Sequence, residues 1–220
     1  MIKCCIFDLD GTILNTITTI TYYVNRTLES YKIDCVTEDE CKYFAGNGAR
    51  LLIERALRSK GICDKILAKK ILKDYNEAYD KYPLHLTAPF ESVDELIKQL
   101  KARGIKLAVL SNKPDSTVKS IVSHFFGDSF DIVLGGRDGI PLKPDPTVPQ
   151  QIIEELGIDK NETAWVGDTG TDVETGKNLG VRLNIGVLWG FRPKEELVSS
   201  GADVTVSAVN EILAEVLKID

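Results

Sequence analysis

The 220-residue sequence predicts an α/β protein: a parallel sheet with helices on both faces, interrupted near its start by an inserted block of helices. Three observations predict it. Short apolar runs recur at residues 2–7, 106–110, 131–134, 163–166, 181–185 and 203–206. Helical patterns over 92–103, 115–125, 146–156, 171–179 and 209–217 alternate with the later runs. Between the first run and the second only helical patterns occur, the clearest at 16–31, 49–60 and 64–82. Strands alternating with helices of this length form parallel sheets covered on both faces.

Taken in order, the run at 2–7 is apolar up to Phe7 and breaks into Asp8-Leu9-Asp10-Gly11. It reads as a buried strand delivering its carboxyl end to a turn. The helical block follows, and Pro83 and Pro89 bracket the return to the alternating region. From there strands and helices take turns, and Gly104, Gly157 and Gly180 stand where helix C-caps are expected. A first strand cut off from its second by helices alone implies an inserted subdomain. The chain therefore divides into a Rossmann-like core, residues 1–14 and 84–220, and a helical cap, residues 15–83. No internal repeat or low-complexity tract is found.

Lysine plus arginine number 27 and aspartate plus glutamate 33, a formal charge of −6. That acidity argues against nucleic acid or an anionic membrane as the main partner. With 43% hydrophobic and 27% charged residues, the chain has an ordinary globular balance and can bury one sizeable core. Its five cysteines, Cys4, Cys5, Cys35, Cys41 and Cys63, are odd in number and form no C-x-x-C, so they read as reduced thiols. The first apolar stretch meets Asp8 too early for a secretion signal, and no run nears the ~18 residues of a membrane span. A cytoplasmic monomer or homodimer is expected.

In open α/β sheets ligands bind at the carboxyl ends of the strands, near the topological switch point. After the first strand come Asp8, Asp10, Gly11 and Thr12; after the second, Ser111, Asn112 and Lys113. Lys143 lies in a loop after the third, and Asp168 and Asp172 follow the fourth. Carboxylates, a hydroxyl and lysines thus converge on one edge of one sheet. Asp8 and Asp10 share a face of the extended chain, and with Asp168 they crowd negative charge. Two such charges at 4 Å repel by roughly 4 kcal/mol at an effective dielectric near 20. A bridging cation removes that cost, and oxygen-only ligands select a hard one, Mg²⁺ before zinc.

The chemistry that suits this set is phosphoryl transfer. Asp8 can attack phosphorus and split hydrolysis into two displacements. Asp10 can protonate the leaving oxygen and then deprotonate water. Ser111 and the backbone amides of the Gly11 and Asn112 loops can bind phosphoryl oxygens, with Thr12 expected among the substrate-binding residues, and Lys143, or Lys113 in its place, can offset charge in the transition state.

Asp8-Leu9-Asp10-Gly11-Thr12, Ser111, Lys143-Pro144 and Gly167-Asp168-Thr169-Gly170-Thr171-Asp172 resemble, in order and spacing, the four motifs of the haloacid dehalogenase superfamily phosphatases. The resemblance covers nearly the whole chain, and the insertion after the first motif looks like that family's C1 cap. It implies Asp8 as nucleophile and Asp10 as acid/base. It also implies Mg²⁺ held by the Asp8 side chain, the Asp10 carbonyl and Asp168, with Asp172 in support. Gly46-Asn47-Gly48-Ala49-Arg50, Leu110–Pro114 and Pro141–Pro146 resemble the phosphoglycolate phosphatase branch, although Asn15 stands where that branch often has Asp.

The expected reaction is Mg²⁺-dependent hydrolysis of a small phosphorylated metabolite, 2-phosphoglycolate first, through an aspartyl-phosphate on Asp8. Arg50, at the end of the Gly46–Gly48 loop, is expected to fork onto the substrate carboxylate. Rivals on the same fold are a sugar phosphatase, an inorganic pyrophosphatase and a β-phosphoglucomutase-like phosphomutase. A receiver-like module with a long-lived phospho-aspartate needs neither Asp10 nor an inserted cap. Two decoys fail: Gly46-x-Gly48 lacks a third glycine, and Gly170…Gly176-Lys177 is too long for a P-loop and falls within a helix. His85 and His124 lie far from the motifs and read as structural or surface residues.

Overall fold

The computed structural model describes residues 1–219. It begins with β1 (Cys4–Phe7) and β2 (Leu14–Asn15), followed by four helices: α1 (Ile17–Ser30), α2 (Glu38–Phe44), α3 (Ala49–Ser59) and α4 (Lys65–Lys81). Next come β3 (Ala88–Pro89), α5 (Val93–Ala102), β4 (Lys106–Pro114), α6 (Asp115–Phe126), β5 (Ile132–Gly136) and α7 (Thr147–Leu156). The chain continues through β6 (Thr163–Gly167), α8 (Gly170–Leu179), β7 (Leu183–Val187), α9 (Lys194–Ser200), β8 (Val204–Val206) and α10 (Val209–Leu217).

Six strands form one sheet in the order β5-β4-β1-β6-β7-β8, and every pairing is parallel. β1 lies between β4 and β6, so the chain leaves it in both directions and its carboxyl end is the switch point. The period of two along each strand sorts side chains onto two faces. Cys4 and Ile6, with Ala108, Leu110 and Trp165, pack under α7 and α8. Cys5 and Phe7, with Leu107, Val109 and Val166, join the larger cluster that includes α5, α6 and α10. In α5 the apolar residues Val93, Leu96, Ile97 and Leu100 recur at helical spacing and are all buried. Burial of such a stripe, more than intrinsic propensity, holds a ten-residue helix in place.

The expected α/β class and the helical block are both present. β4 runs four residues beyond the predicted 106–110, because after a register shift Pro114 still pairs with Gly136. Ser111, Asn112 and Lys113 therefore lie on the strand itself and not in a loop after it. α2 and α9, seven residues each, are too short for a periodic signal, although α2 carries a capping box between Thr37 and Glu40. The pairing of β2 with β3 joins the two chain segments that lead into and out of the α1–α4 block. All five cysteines are free thiols. No described helix is long and apolar enough to cross a membrane. His85 sits edge-on against Tyr22, and His124 is exposed on α6.

Candidate active site

The carboxyl ends of β1 and β6 bring Asp8 and Asp168 together, and the first turn of α8 adds Asp172. One oxygen from each of the three lies within 4.8 Å of the others, and all three residues are buried. Lys143 enters from the loop after β5. Its ammonium donates to Asp8 Oδ1 at 2.6 Å and to Asp172 Oδ1 at 2.7 Å, with its side chain only 2% exposed. The Trp165 ring, fully buried in β6, lies 5.7 Å from the same ammonium.

Each carboxylate is held by its neighbours. Asp168 accepts from Thr12 Oγ1 at 3.0 Å and from the Phe191 amide at 2.7 Å. Asp172 Oδ2 accepts from the Thr169 amide and hydroxyl, closing a capping box at the start of α8. Gly11 sits at φ +83°, and a Cβ there would lie 2.3 Å from Asp168 Oδ2. Only glycine permits both that backbone and that approach.

Burial, then Asp172, pushes the Asp8 carboxyl up to about 7 against the pull of Lys143. Burial again, followed by Asp172 and Asp8, raises Asp168 well above the usual carboxylate range. Burial would lower the Lys143 ammonium, but Asp172 and Asp8 outweigh it and hold the lysine protonated. The set has one cation for three buried acids, all its donors are oxygen, and its oxygens converge. Those are the properties of a site for a hard divalent cation.

The cluster opens onto a cavity of about 60 Å³. Asp8, Asp10, Ser111 and Lys113 line it from the sheet side, Gly46 and Gly48 from the loop between α2 and α3, and Ala49 from the start of α3. Tyr75, Asn76, Tyr79 and Asp80 line it from α4. The Lys113 ammonium donates to both Asp10 oxygens at 3.0 Å and lies 4.5 Å from the Tyr79 ring centroid. Ser111, buried at the floor, accepts from the Lys113 amide at 3.2 Å.

Several predicted substrate contacts are engaged elsewhere. The Gly11 amide already donates to the Leu14 carbonyl at 2.8 Å. The Thr12 hydroxyl serves Asp168. The Asn112 side chain bridges the Gly46 carbonyl and the backbone of Lys143. Arg50 is outside the cavity: it pairs with Glu54 at 2.9 Å, with 68% of its side chain exposed. On α3, Ala49 and Leu52 face inward, and the 100° step per residue turns Arg50 toward the groove between α3 and α4. The α4 wall had no separate signal in the sequence, because Tyr75 and Tyr79 recur at the spacing of any core-facing stripe.

The haloacid dehalogenase-like hydrolase family profile matches residues 5–185. The chain therefore belongs to that family of enzymes. Among its sequence relatives, the phosphoglycolate phosphatase of Aquifex aeolicus is 29% identical over 209 residues, covering 94% of this chain and 93% of that protein. The Psychrobacter arcticus phosphoglycolate phosphatase is 34% identical over 200 residues, covering 87% and 86%. A crystal structure of a candidate phosphoglycolate phosphatase from Lactobacillus delbrueckii subsp. bulgaricus superposes with a TM-score of 0.93 at 29% identity, covering 97% of this chain and 98% of that one.

The buried acids carry a further expectation. Asp8 and Asp168 both have a folded-state pKa above the unfolded value, so the folded protein binds more protons and loses stability as pH rises toward the raised value. For Asp8 the window runs from the ordinary 3.8 to about 7. The thermal midpoint of the metal-free protein should therefore fall by a few degrees between about pH 5 and pH 8, and Mg²⁺ should flatten that slope. Thermal melts across that range, in chelator and in Mg²⁺, check it; a rising midpoint in chelator contradicts the electrostatics described.

Proposed function

We propose that this hydrolase is a Mg²⁺-dependent phosphatase of small phosphomonoesters, 2-phosphoglycolate first among them, acting through an aspartyl-phosphate on Asp8. The observation that carries this reading is the position of Asp8. It stands at the sheet switch point, at the base of a small cavity, between Lys143 and two further buried carboxylates. The phosphatase class is that of its full-length relatives, and the cavity size favours a small substrate.

In the first displacement an Asp8 oxygen forms a bond to phosphorus and the ester bond to the leaving oxygen breaks. Asp10, which lines the same cavity, gives that oxygen its proton, and the Lys113 ammonium must release one of the two Asp10 oxygens for this to happen. Water then attacks phosphorus, Asp10 takes its proton, and the Asp8–phosphorus bond breaks to release phosphate. Ser111 donates to a phosphoryl oxygen. The amides of Leu9 and Asp10, which have no partner among the described residues, are placed to do the same. Lys143 favours the ionised form of Asp8 and holds it in place. Asp8, Asp168, Asp172 and the Asp10 carbonyl would hold Mg²⁺, which supplies charge neutralisation between an anionic nucleophile and an anionic substrate. We assign the helices within residues 15–83 to a cap that excludes bulk water from this step.

The test is phosphate release from a panel of small phosphomonoesters, sugar phosphates and pyrophosphate, with and without chelator. 2-Phosphoglycolate should give the highest kcat/KM, and chelator should abolish turnover. A sugar phosphate or pyrophosphate at the top of the panel replaces the substrate assignment. Transfer between sugar hydroxyls without free phosphate makes the protein a mutase. Full activity in chelator removes the metal.

A further inference from the structure

Arg192 lies in the segment after β7, and none of the catalytic roles above uses it. Its side chain is 7% exposed. Its guanidinium donates to the carbonyls of Lys42, Tyr43 and Ala45, the last by an Nη2 contact of 2.9 Å. Those carbonyls belong to the final turn and C-cap of α2. Such groups have no partner within a helix. Ala45, the C-cap of α2, is extended, so Gly46 after it, although at positive φ, does not turn the chain back on them. Arg55 of α3 takes the remaining one, the Phe44 carbonyl, at 2.8 Å. Arg192 also stacks toward the Tyr43 ring at 5.5 Å.

The guanidinium is held from behind. Its Nε faces Glu196 Oε1 at 3.3 Å, and the same oxygen accepts from the Gly170 amide at the start of α8. The residues just before it reach the buried acids. The Phe191 amide donates to Asp168 Oδ2 at 2.7 Å. Gly190 packs so closely that a Cβ there would lie 2.3 Å from Asp168 Cβ. Residues 190–192 therefore touch Asp168 at one end and the last turn of α2 at the other. That turn leads directly into Gly46 and Gly48, which line the cavity.

We propose that Arg192 is a positioning residue that docks the α2 end onto the core and so sets the cavity wall formed by residues 45–49. This rests on the assignment of residues 15–83 as a cap, and it goes beyond it by naming what holds the cap shut. Two lighter contacts, Asn47 to Thr171 Oγ1 at 2.7 Å and Asn112 to the Gly46 carbonyl at 3.1 Å, act at the same seam. Neither replaces three carbonyl contacts from one charged fork, which are the stronger kind of hydrogen bond. Lysine offers a point charge without the fork and cannot span the three carbonyls.

The experiment compares wild type, R192K, R192A and E196Q in two readouts. The first is kcat/KM for the smallest phosphomonoester that the wild type hydrolyses and for the bulkier p-nitrophenyl phosphate. R192A should lose roughly 10- to 100-fold on the small substrate, the size of effect expected from loose positioning. It should change on the aryl phosphate by no more than about twofold, because a loosened wall no longer penalises bulk. R192K should fall between wild type and R192A, and E196Q should follow R192K. The second readout needs no turnover: hydrogen exchange of the amides of residues 42–50 should rise in R192A while the sheet amides stay protected. Equal losses on both substrates, or unchanged exchange over 42–50, overturn the proposal. A wild type inactive on the whole panel overturns the substrate reading instead, and the exchange result still decides the role of Arg192.

Discussion

Asp8→Asn should lose phosphatase turnover by roughly 10⁴-fold or more, the scale at which removal of a covalent nucleophile acts. The amide keeps the size and shape of the side chain but cannot form the phospho-intermediate. The same change should leave the thermal midpoint of the metal-free protein equal or higher. Asp8 is buried among Asp172 and Asp168, and its carboxyl is pushed up to about 7, which marks a charged form held at a cost. Asparagine removes that charge and leaves Lys143 paired with Asp172 at 2.7 Å. Activity and stability should thus move in opposite directions, a pattern typical of sites where function and folding conflict. Turnover measured beside a thermal melt checks both halves. Substantial residual turnover would end the covalent mechanism, and a strongly lowered midpoint would mean that Asp8 stabilises the fold.

Lys143→Met should move both quantities the same way. Methionine approximates the length of lysine but removes the only ammonium that, among the described residues, contacts Asp8 and Asp172. Breaking a buried pair by removing one partner typically costs about 3–5 kcal/mol, because the charge left behind has lost its water as well. Turnover should drop by roughly 100-fold or more through loss of charge stabilisation. The stability loss should depend on pH with a definite sign. Without the lysine the Asp8 carboxyl rises further from its already raised value. The deficit is then largest at alkaline pH and shrinks as acid protonates Asp8. Melts of wild type and variant at about pH 5 and pH 8 read this directly. A variant as stable as wild type at the higher pH, in chelator, would show that Lys143 does not balance the buried acids.

The site was legible in the sequence wherever a residue type at a strand end had one plausible chemistry. Asp8, Asp168, Asp172, Ser111 and Lys143 were singled out this way; strand ends, the first turn of α8 and the loop after β5 bring Asp8, Asp168, Asp172 and Lys143 together, and Ser111 lines the same cavity as Asp8. The roles of their neighbours were less legible, because hydrogen bonds already made inside the protein cannot be read from a one-dimensional pattern. Thr12 looked like a phosphate contact and instead orients Asp168. The Gly11 amide looked free and closes a turn. Arg50 had the right chemistry but stands one position off the inward face of α3, and a single helical step reverses exposure. Arg192 had no signal, since its partners are backbone carbonyls some 150 residues earlier in the chain. The short helices α2 and α9 escaped for a different reason: two turns contain too few residues for a period to show.

The pairing of β2 with β3 has an evolutionary consequence. Leu14 lies opposite Pro89 and Asn15 opposite Ala88, so the chain departs from the sheet-bearing part and returns to it at a single doorway. Antiparallel neighbours of this kind are roughly 5 Å apart. A segment whose two ends lie that close can be lengthened, shortened or exchanged without disturbing the register of β1 against β4 and β6. Residues 16–87 are in this sense an interchangeable cassette set into the sheet-bearing part of the molecule. Asp8, Lys143, Asp168 and Asp172 come from one side of the doorway, and most of the remaining cavity wall comes from the other. Selection can therefore retune what enters the cavity while the acids and Lys143 stay fixed. A chimera joined at 15/88, carrying a relative's cassette, would inherit its substrate preference from the graft and its reaction from the host.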